Sequence, residues 1–232
     1  MNEEPMNPQE KCRILGVLDD GVASLGQSAL AHLAHAQLVI GGARTLQLLA
    51  AHIAPDARQH DLTGALSQVP EWIRCAQADG LRVVVLATGD PLCHGIAAYL
   101  ASRLCIEAIE VIPNVSTLQL ACARLCLPWQ DMKFASVHSQ DAGDWVAGSE
   151  PSHGLYGLLR DIRQHDRLAV LTSPFNTPDR IARMLVTEGL ADDYEMAVAE
   201  RLCQPEERVV SGFSIRAATH MPFADLNVVM LW

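Results

Sequence analysis

The sequence predicts an α/β protein in two parts. Continuous apolar, β-branched runs recur along it, above all Val83, Val84, Val85 and Leu86. Runs of that kind form strands buried on both faces of a parallel sheet. Each run is followed by a loop bearing Gly, Asp or Pro and then by apolar residues at helical spacing, the alternation that builds a parallel layer. The alternation breaks at a Gly/Ser/Pro-rich stretch, residues 143–154, and then restarts. A domain boundary is therefore expected near residues 139–152, with an N-terminal α/β domain over 12–140 and a C-terminal one over 150–232.

Residues 1–11 are mostly polar and read as a flexible lead-in. Residues 12–18, CRILGVL, form a first strand that stops at the turn Asp19-Asp20-Gly21. Ser24 is a candidate cap for a helix with Leu25, Ala29, Leu30 and Leu33 on one face. Residues 36–40 are a second strand, closed by Gly41-Gly42, and residues 44–52 a short helix. His60-Asp61-Leu62 is a short extended piece. Residues 66–78 are helical, with Pro70 in the first turn, where its missing N–H is tolerated.

Residues 81–100 give strand, tight loop and helix in succession. The loop is Ala87-Thr88-Gly89-Asp90-Pro91. Gly89 permits a positive φ or a close backbone approach, and Pro91 fixes φ and removes a donor. Ile96, Ala97, Leu100 and Leu104 continue at helical spacing. Residues 107–112 are a strand, 118–126 a small-residue helix and 134–138 another strand. In the second half, residues 155–164 are helical and 167–172 a buried strand. Thr177 suits a cap, Pro178 the first helical position and Gly189 the stop. Residues 194–200, 206–211 and 226–231 are strands.

With 232 residues, 50% hydrophobic and 19% charged, the chain can bury real cores and is globular rather than disordered. A net charge of −10 argues against general affinity for nucleic acid or anionic membrane. The first ten residues carry Glu3, Glu4 and Glu10, so no secretory leader is read, and no apolar run reaches membrane-spanning length. Seven cysteines form no CxxC pair, and the odd count favours a reducing cytoplasm. Cys122 and Cys126, four apart, read as small core residues of one helix. Nine histidines show no HExxH or comparable spacing, so no metal site is expected. The absence of GxGxxG and of GxxxxGK[ST] disfavours a nicotinamide or nucleoside-triphosphate enzyme.

In an open α/β sheet, ligands sit outside the carboxyl ends of strands. Asp19, Asp20 and Asp90 each follow a strand; they read either as contacts for a polar or cationic ligand or as ordinary turn formers. Ser116 and Thr117 read as ligand contacts or as helix caps. His94 and His138 follow strands and read as proton-transfer groups or structural donors. Ser173 lacks a GxSxG setting, which argues against a hydrolase nucleophile. Glu200, Arg201, Glu206, Glu207 and Arg208 form a charge-dense stretch, a solvated face or a source of arginines for substrate carboxylates.

Taken together, these loops resemble the tetrapyrrole (corrin/porphyrin) methylase family. The resemblance is carried by Leu15-Gly16-Val17 with Asp19-Asp20-Gly21, by Val39-Ile40-Gly41-Gly42-Ala43-Arg44, and by Leu86-Ala87-Thr88-Gly89-Asp90-Pro91-Leu92 with Gly95. It continues in Ile112-Pro113-Asn114-Val115-Ser116-Thr117, Leu127-Pro128-Trp129, Glu200-Arg201-Leu202, Pro205-Glu206-Glu207-Arg208 and Asp225-Leu226-Asn227-Val228-Val229. Within the family the match is best to members that methylate C5 of the corrin-ring intermediates precorrin-6Y and cobalt-precorrin-7.

That resemblance implies two α/β domains with S-adenosylmethionine in the cleft between them. Gly89, Asp90, Pro91 and Leu92 would hold the cofactor largely through backbone groups, with Gly16, Ser116 and Thr117 lining the pocket and His138-Ser139 at its edge. Arg44 and Arg208 would meet the acidic side chains of the macrocycle. A homodimer is implied. Methyl transfer from a sulfonium to an electron-rich ring carbon needs alignment more than a dedicated nucleophile. Because the chain ends at Trp232, C15 methylation and decarboxylation are assigned to a separate protein. Leu18 stands where the family commonly has glycine, Thr117 where a second serine is common, and residues 139–153 depart from its usual HGR-type segment. Two alternatives stay open: a binding homologue without catalysis, and a methylase of the same superfamily acting on another carbon or acceptor.

Overall fold

A computed structural model of the chain describes residues 10–138 and 143–232. The lead-in at residues 1–9, Ser139, and the part of the expected boundary at residues 139–142 lie outside the described residues. The chain divides into two units, Met1–Ser116 and Thr117–Trp232.

Among the described residues the first unit holds five strands: β1 (Cys12–Val17), β2 (Leu38–Gly41), β3 (Arg58–Asp61), β4 (Val83–Thr88) and β5 (Ile109–Ile112). Their order is β3-β2-β4-β1-β5, and every pair is parallel. Four helices accompany them: α1 (Gln27–Ala34), α2 (Ala43–Leu49), α3 (Val69–Ala78) and α4 (Ile96–Ala101). Successive residues of β4 face opposite sides of the sheet. Val83, Val85 and Ala87 join Ile73, Ala97 and Leu100 in one core, under α3 and α4. Val84 and Leu86 join Leu33, Leu46 and Leu49 in the other, under α1 and α2. Burial on both faces explains why the run is apolar without alternation.

Two local expectations for this unit are corrected. The fourth strand runs on to Thr88, because Gly16 and Val17 of β1 pair with Ala87 and Thr88. Ser24 does not cap a helix. It lies in a 3-10 turn, Gly21–Ser24, where its Oγ donates to the Gly21 carbonyl at 3.3 Å, and α1 begins only after Gly26.

The second unit is built from α5 (Thr117–Arg124), β6 (Lys133–Ser136), α6 (Tyr156–Ile162), β7 (Leu168–Leu171), α7 (Pro178–Thr187), β8 (Met196–Glu200), β9 (Arg208–Val210), α8 (Ile215–Ala218) and β10 (Asn227–Leu231). Its strand order is β6-β7-β10-β8-β9; β6 and β7 are parallel and the other pairs antiparallel. The division therefore falls at Ser116/Thr117 rather than near 139–152. The strand read over 134–138 pairs with β7, from Lys133↔Leu168 to Ser136↔Leu171, and α5 packs on β7 and β10. Leu155, Leu158, Leu159 and Ile162 of the α6 region meet Ile181 and Leu185 of α7 over Val170, Val198 and Val229. Trp145 joins this core and donates Nε1–H to Glu188 Oε1 at 2.8 Å, which ties part of the Gly/Ser/Pro-rich stretch to the end of α7.

Pro178 opens α7 after Thr177, whose side chain makes no capping bond. Gly189, at φ +74°, ends it, with Leu190 N–H bonded to the Leu185 carbonyl at 2.8 Å. Cys122 is buried, but Cys126 is exposed at φ +53°, beyond the end of α5, so only one of the two belongs to the core. The four-residue α8, too short to show a period, is capped by Ser214, whose Oγ accepts from Ala217 N–H at 3.1 Å. Among the described residues no helix is long and apolar enough to cross a membrane.

Ile14 is fully buried in β1, whereas Ile106 is 68% exposed. Ile14→Ala is expected to cost about 2–5 kcal/mol in urea unfolding. Ile106→Ala should stay within about 0.5 kcal/mol of the parent.

Candidate functional site

Because its strands are all parallel, the first unit gathers the loops after β1, β2, β4 and β5 at one edge. The loop after β1 leads to α1 on one face of the sheet and the loop after β4 to α4 on the other. Neighbouring strands whose loops leave to opposite faces open a crevice at their carboxyl ends, the place where α/β sheets bind ligands.

Gly16 lies at that point. A Cβ there would sit 2.7 Å from Asn114 Cβ and 2.8 Å from Asn114 N, and closer still to the Gly89 carbonyl oxygen. Three chain segments thus meet at a position that admits only glycine. Gly89 adopts φ +68° and donates its N–H to the Val17 carbonyl at 2.8 Å, which locks the central loop onto β1.

The rest of the central loop is braced from within. Asp90 Oδ1 accepts from Leu92 N–H at 2.7 Å, and the Asp90 and Pro91 carbonyls accept from Cys93 N–H at 3.1 Å and Ala97 N–H at 3.0 Å. Gly95 is packed against Pro91, whose carbonyl carbon would lie 2.7 Å from an added Cβ. His94 takes φ +55°, so its position in the loop reflects a tight turn. The loop leaves Leu92 59% exposed, and Val115 after β5 is 44% exposed. Burial pushes the Cys93 thiol up; a bond from Ser116 opposes this and the Asp90 charge adds to it. Arg44 pairs with Asp19 at 2.9 Å and keeps about half its side chain exposed. Asp20 is exposed, and Leu18 is buried, so its side chain is packed away rather than presented to solvent.

Of the residues singled out in the sequence, Gly16, Gly89, Asp90, Pro91, Leu92, Ser116 and Arg44 belong to these loops of the first unit. Thr117, His138 and Arg208 belong to the second. Thr117 opens α5, and His138 follows β6, sharing a 3.0 Å hydrogen bond between its Nδ1 and Ser136 Oγ. Arg208 pairs with the buried Glu200, which also accepts from Ala224 N–H at 2.9 Å. Glu207 accepts from Arg124 and, at 2.7 Å, from Cys203 N–H. These bonds hold the turn after β8, where Arg201 and Cys203 take φ +50° and +64°. The charge-dense stretch is thus largely an internal brace.

Sequence reading overlooked two amides. Asn114 Nδ2 lies 3.2 Å from the Gly16 carbonyl oxygen and 3.3 Å from both the carbonyl oxygen and Oγ of Ser24. Asn176, 1% exposed, donates Nδ2–H to the Val137 carbonyl at 3.0 Å, beside His138. The one available signal was an asparagine in a proline-bearing turn, which is common in loops of every kind.

A family model for tetrapyrrole (corrin/porphyrin) methylases matches residues 13–214. The chain is 31% identical over 219 residues to a decarboxylating precorrin-6Y C(5,15)-methyltransferase of Sinorhizobium sp, covering 93% of this chain and 48% of that protein. It therefore spans about half the length of that relative. It is 28% identical over 196 residues to the cobalt-precorrin-7 C(5)-methyltransferase of Salmonella typhimurium, covering 84% of this chain and 87% of that one. The uroporphyrin-III C-methyltransferase of Thermus thermophilus, solved in complex with S-adenyl homocysteine, superposes with a TM-score of 0.67. At 21% identity over 95% of this chain and 91% of that one, the likeness is one of fold.

Gly16→Ala is expected to destabilise the protein by about 1–3 kcal/mol, since the added methyl strikes backbone rather than a movable side chain. Gly157→Ala, in α6 with open space around it, should be neutral or stabilising in the same unfolding assay. Arg124 holds the Glu207 carboxyl below its ordinary value of 4.5. A carboxyl depressed in the folded state stabilises the fold above that ordinary value and loses the contribution as pH falls below it. The stability gap between the parent and Glu207→Gln should therefore be widest at neutral pH and close below pH 4.5.

Proposed function

The chain belongs to the tetrapyrrole (corrin/porphyrin) methylase family, and on that premise we propose that it is an S-adenosylmethionine-dependent C-methyltransferase of corrin-ring biosynthesis, acting at C5 of precorrin-6Y or cobalt-precorrin-7. One observation carries the choice of carbon. The chain aligns over 93% of its length with a C(5,15)-methyltransferase and over 84% with a C(5)-methyltransferase, and methylation of C5 is what those two names share.

The residues at the sheet edge fit the donor. Gly16 keeps a side chain out of the place where three loops meet, so the Gly89 carbonyl and the Asn114 backbone close up against β1, and Gly89 at φ +68° lets the central loop turn there. Leu92 and Val115 offer apolar surface for a thioether chain and a nucleoside face. Asp90 adds negative charge suited to a sulfonium, while Asp19 neutralises the nearby cation Arg44. Gly16, Gly89, Asp90, Pro91, Leu92 and Ser116 are assigned to cofactor binding from the first unit, Thr117 and His138 from the second.

When bound, the sulfonium supplies an electrophilic methyl group: its carbon–sulfur bond breaks as the bond to C5 forms, leaving a neutral thioether. The protein's part is to hold donor and acceptor in line, which by itself accounts for much of the rate enhancement in such a transfer. Arg44 and Arg208 are assigned to the carboxylates of the macrocycle, Arg44 by exchanging Asp19 for a substrate carboxylate and Arg208 through the exposed side of its guanidinium while it stays paired with the buried Glu200. A homodimer in the cytoplasm is part of the same reading; an odd count of seven cysteines with no CxxC pair supports a reducing compartment.

Incubation with methyl-labelled S-adenosylmethionine and the two corrin intermediates is expected to place a single label at C5, located by carbon NMR of the product. Label at another ring carbon, or carbon dioxide release with a second label at C15, would overturn the assignment.

A further inference from the structure

Strand β5 pairs with β1 only as far as Leu15↔Ile112. The next residue of β5 would be Pro113, which has no N–H to continue the ladder toward Gly16. Beyond that rung β1 needs another donor on this side, because a strand carbonyl facing a neighbour without a partner is costly when buried. Asn114 supplies it from its side chain. Its Nδ2 lies 3.2 Å from the Gly16 carbonyl oxygen and 3.3 Å from the Ser24 carbonyl oxygen and Oγ. Its Oδ1 accepts from Val115 N–H at 2.8 Å, which orients the amide so that its two protons face β1 and the 3-10 turn. The same residue's Cβ and N form one wall of the place where Gly16 meets Gly89.

We infer that Asn114 is a positioning residue for the cofactor: its carboxamide latches the end of β1 to the 21–24 turn and thereby fixes the contact of Gly16 with Gly89 that holds the central loop, Gly89 to Leu92, in place for the donor. This inference rests on the cofactor site assigned above. Loss of the latch leaves the Gly16 carbonyl and the Ser24 turn free to shift and leaves the sheet itself intact, since the β1–β4 and β1–β5 rungs up to Leu15 do not involve it. It weakens the donor without weakening the acceptor.

The test measures S-adenosylhomocysteine binding by calorimetry, together with the KM for S-adenosylmethionine and for the corrin, in the full chain and in Asn114→Ala, Asn114→Asp and Ser24→Ala. Asn114→Ala and Asn114→Asp, which keeps the acceptor for Val115 but loses both protons, should each weaken cofactor binding about tenfold and raise the S-adenosylmethionine KM to match. The corrin KM should stay within about twofold. Ser24→Ala, which removes Oγ but keeps the carbonyl, should have a smaller effect, and adding it to Asn114→Ala should cost no more than Asn114→Ala alone. If Asn114→Ala fails to fold, the Asn114→Asp and Ser24→Ala pair carries the test. Unchanged cofactor affinity in the Asn114 variants, or equal losses toward cofactor and corrin, would overturn the inference while leaving the proposed function standing. A parent protein that binds no S-adenosylhomocysteine would sink both.

Discussion

The close approach of backbone at Gly16 is the constraint on which the rest of the first unit depends. β1 is paired in parallel on both sides, with β4 and with β5, so its end is where loops from three strands must pass one another. Parallel pairing brings their carboxyl ends to one edge, and the right-handed crossovers send successive helices to either face. Only a residue without a Cβ lets the Gly89 carbonyl and the Asn114 backbone share that space. The central loop can then be short and internally bonded. Chemistry that relies on holding a donor in place is served by such a rigid, small-residue edge.

The second unit solves a different problem. Its sheet is mixed, and its loops are held by side chains instead of by continued strand pairing. The buried Glu200 is matched by Arg208 and by Ala224 N–H, Glu207 by Arg124 and Cys203 N–H, and Thr172 Oγ1 reaches Asn227 Oδ1 at 2.6 Å. A carboxylate buried as deeply as Glu200 is tolerated only with a cation and a donor satisfying it. The arginines and glutamates that stand together in the sequence are therefore largely structural.

Much of the architecture was legible before any coordinates. The strands of the first unit announce themselves because both faces are buried, as at Val83, Val84 and Val85, and the helix stop at Gly189 follows from the left-handed conformation that glycine takes without strain. The reading of Ser24 as a cap went astray because a hydroxyl can serve a 3-10 turn as readily as a helix start. Cys126 was misread because helical spacing continues in the sequence past the point at which the chain turns to φ +53°.

By itself the sequence determined the fold class, the alternation of elements and the family, since these follow from local periodicity, turn chemistry and an ordered set of short motifs. Only the tertiary structure decided that β6 joins the second sheet and that α5 packs on it, because strand pairing is a choice among distant partners that no local pattern records. It alone, too, decided that Gly16, Gly89 and Asn114 converge and that Asn114 takes the place of a missing rung. Residues 98 apart are brought to hydrogen-bond distance by the packing of the whole sheet, not by their neighbours in the chain.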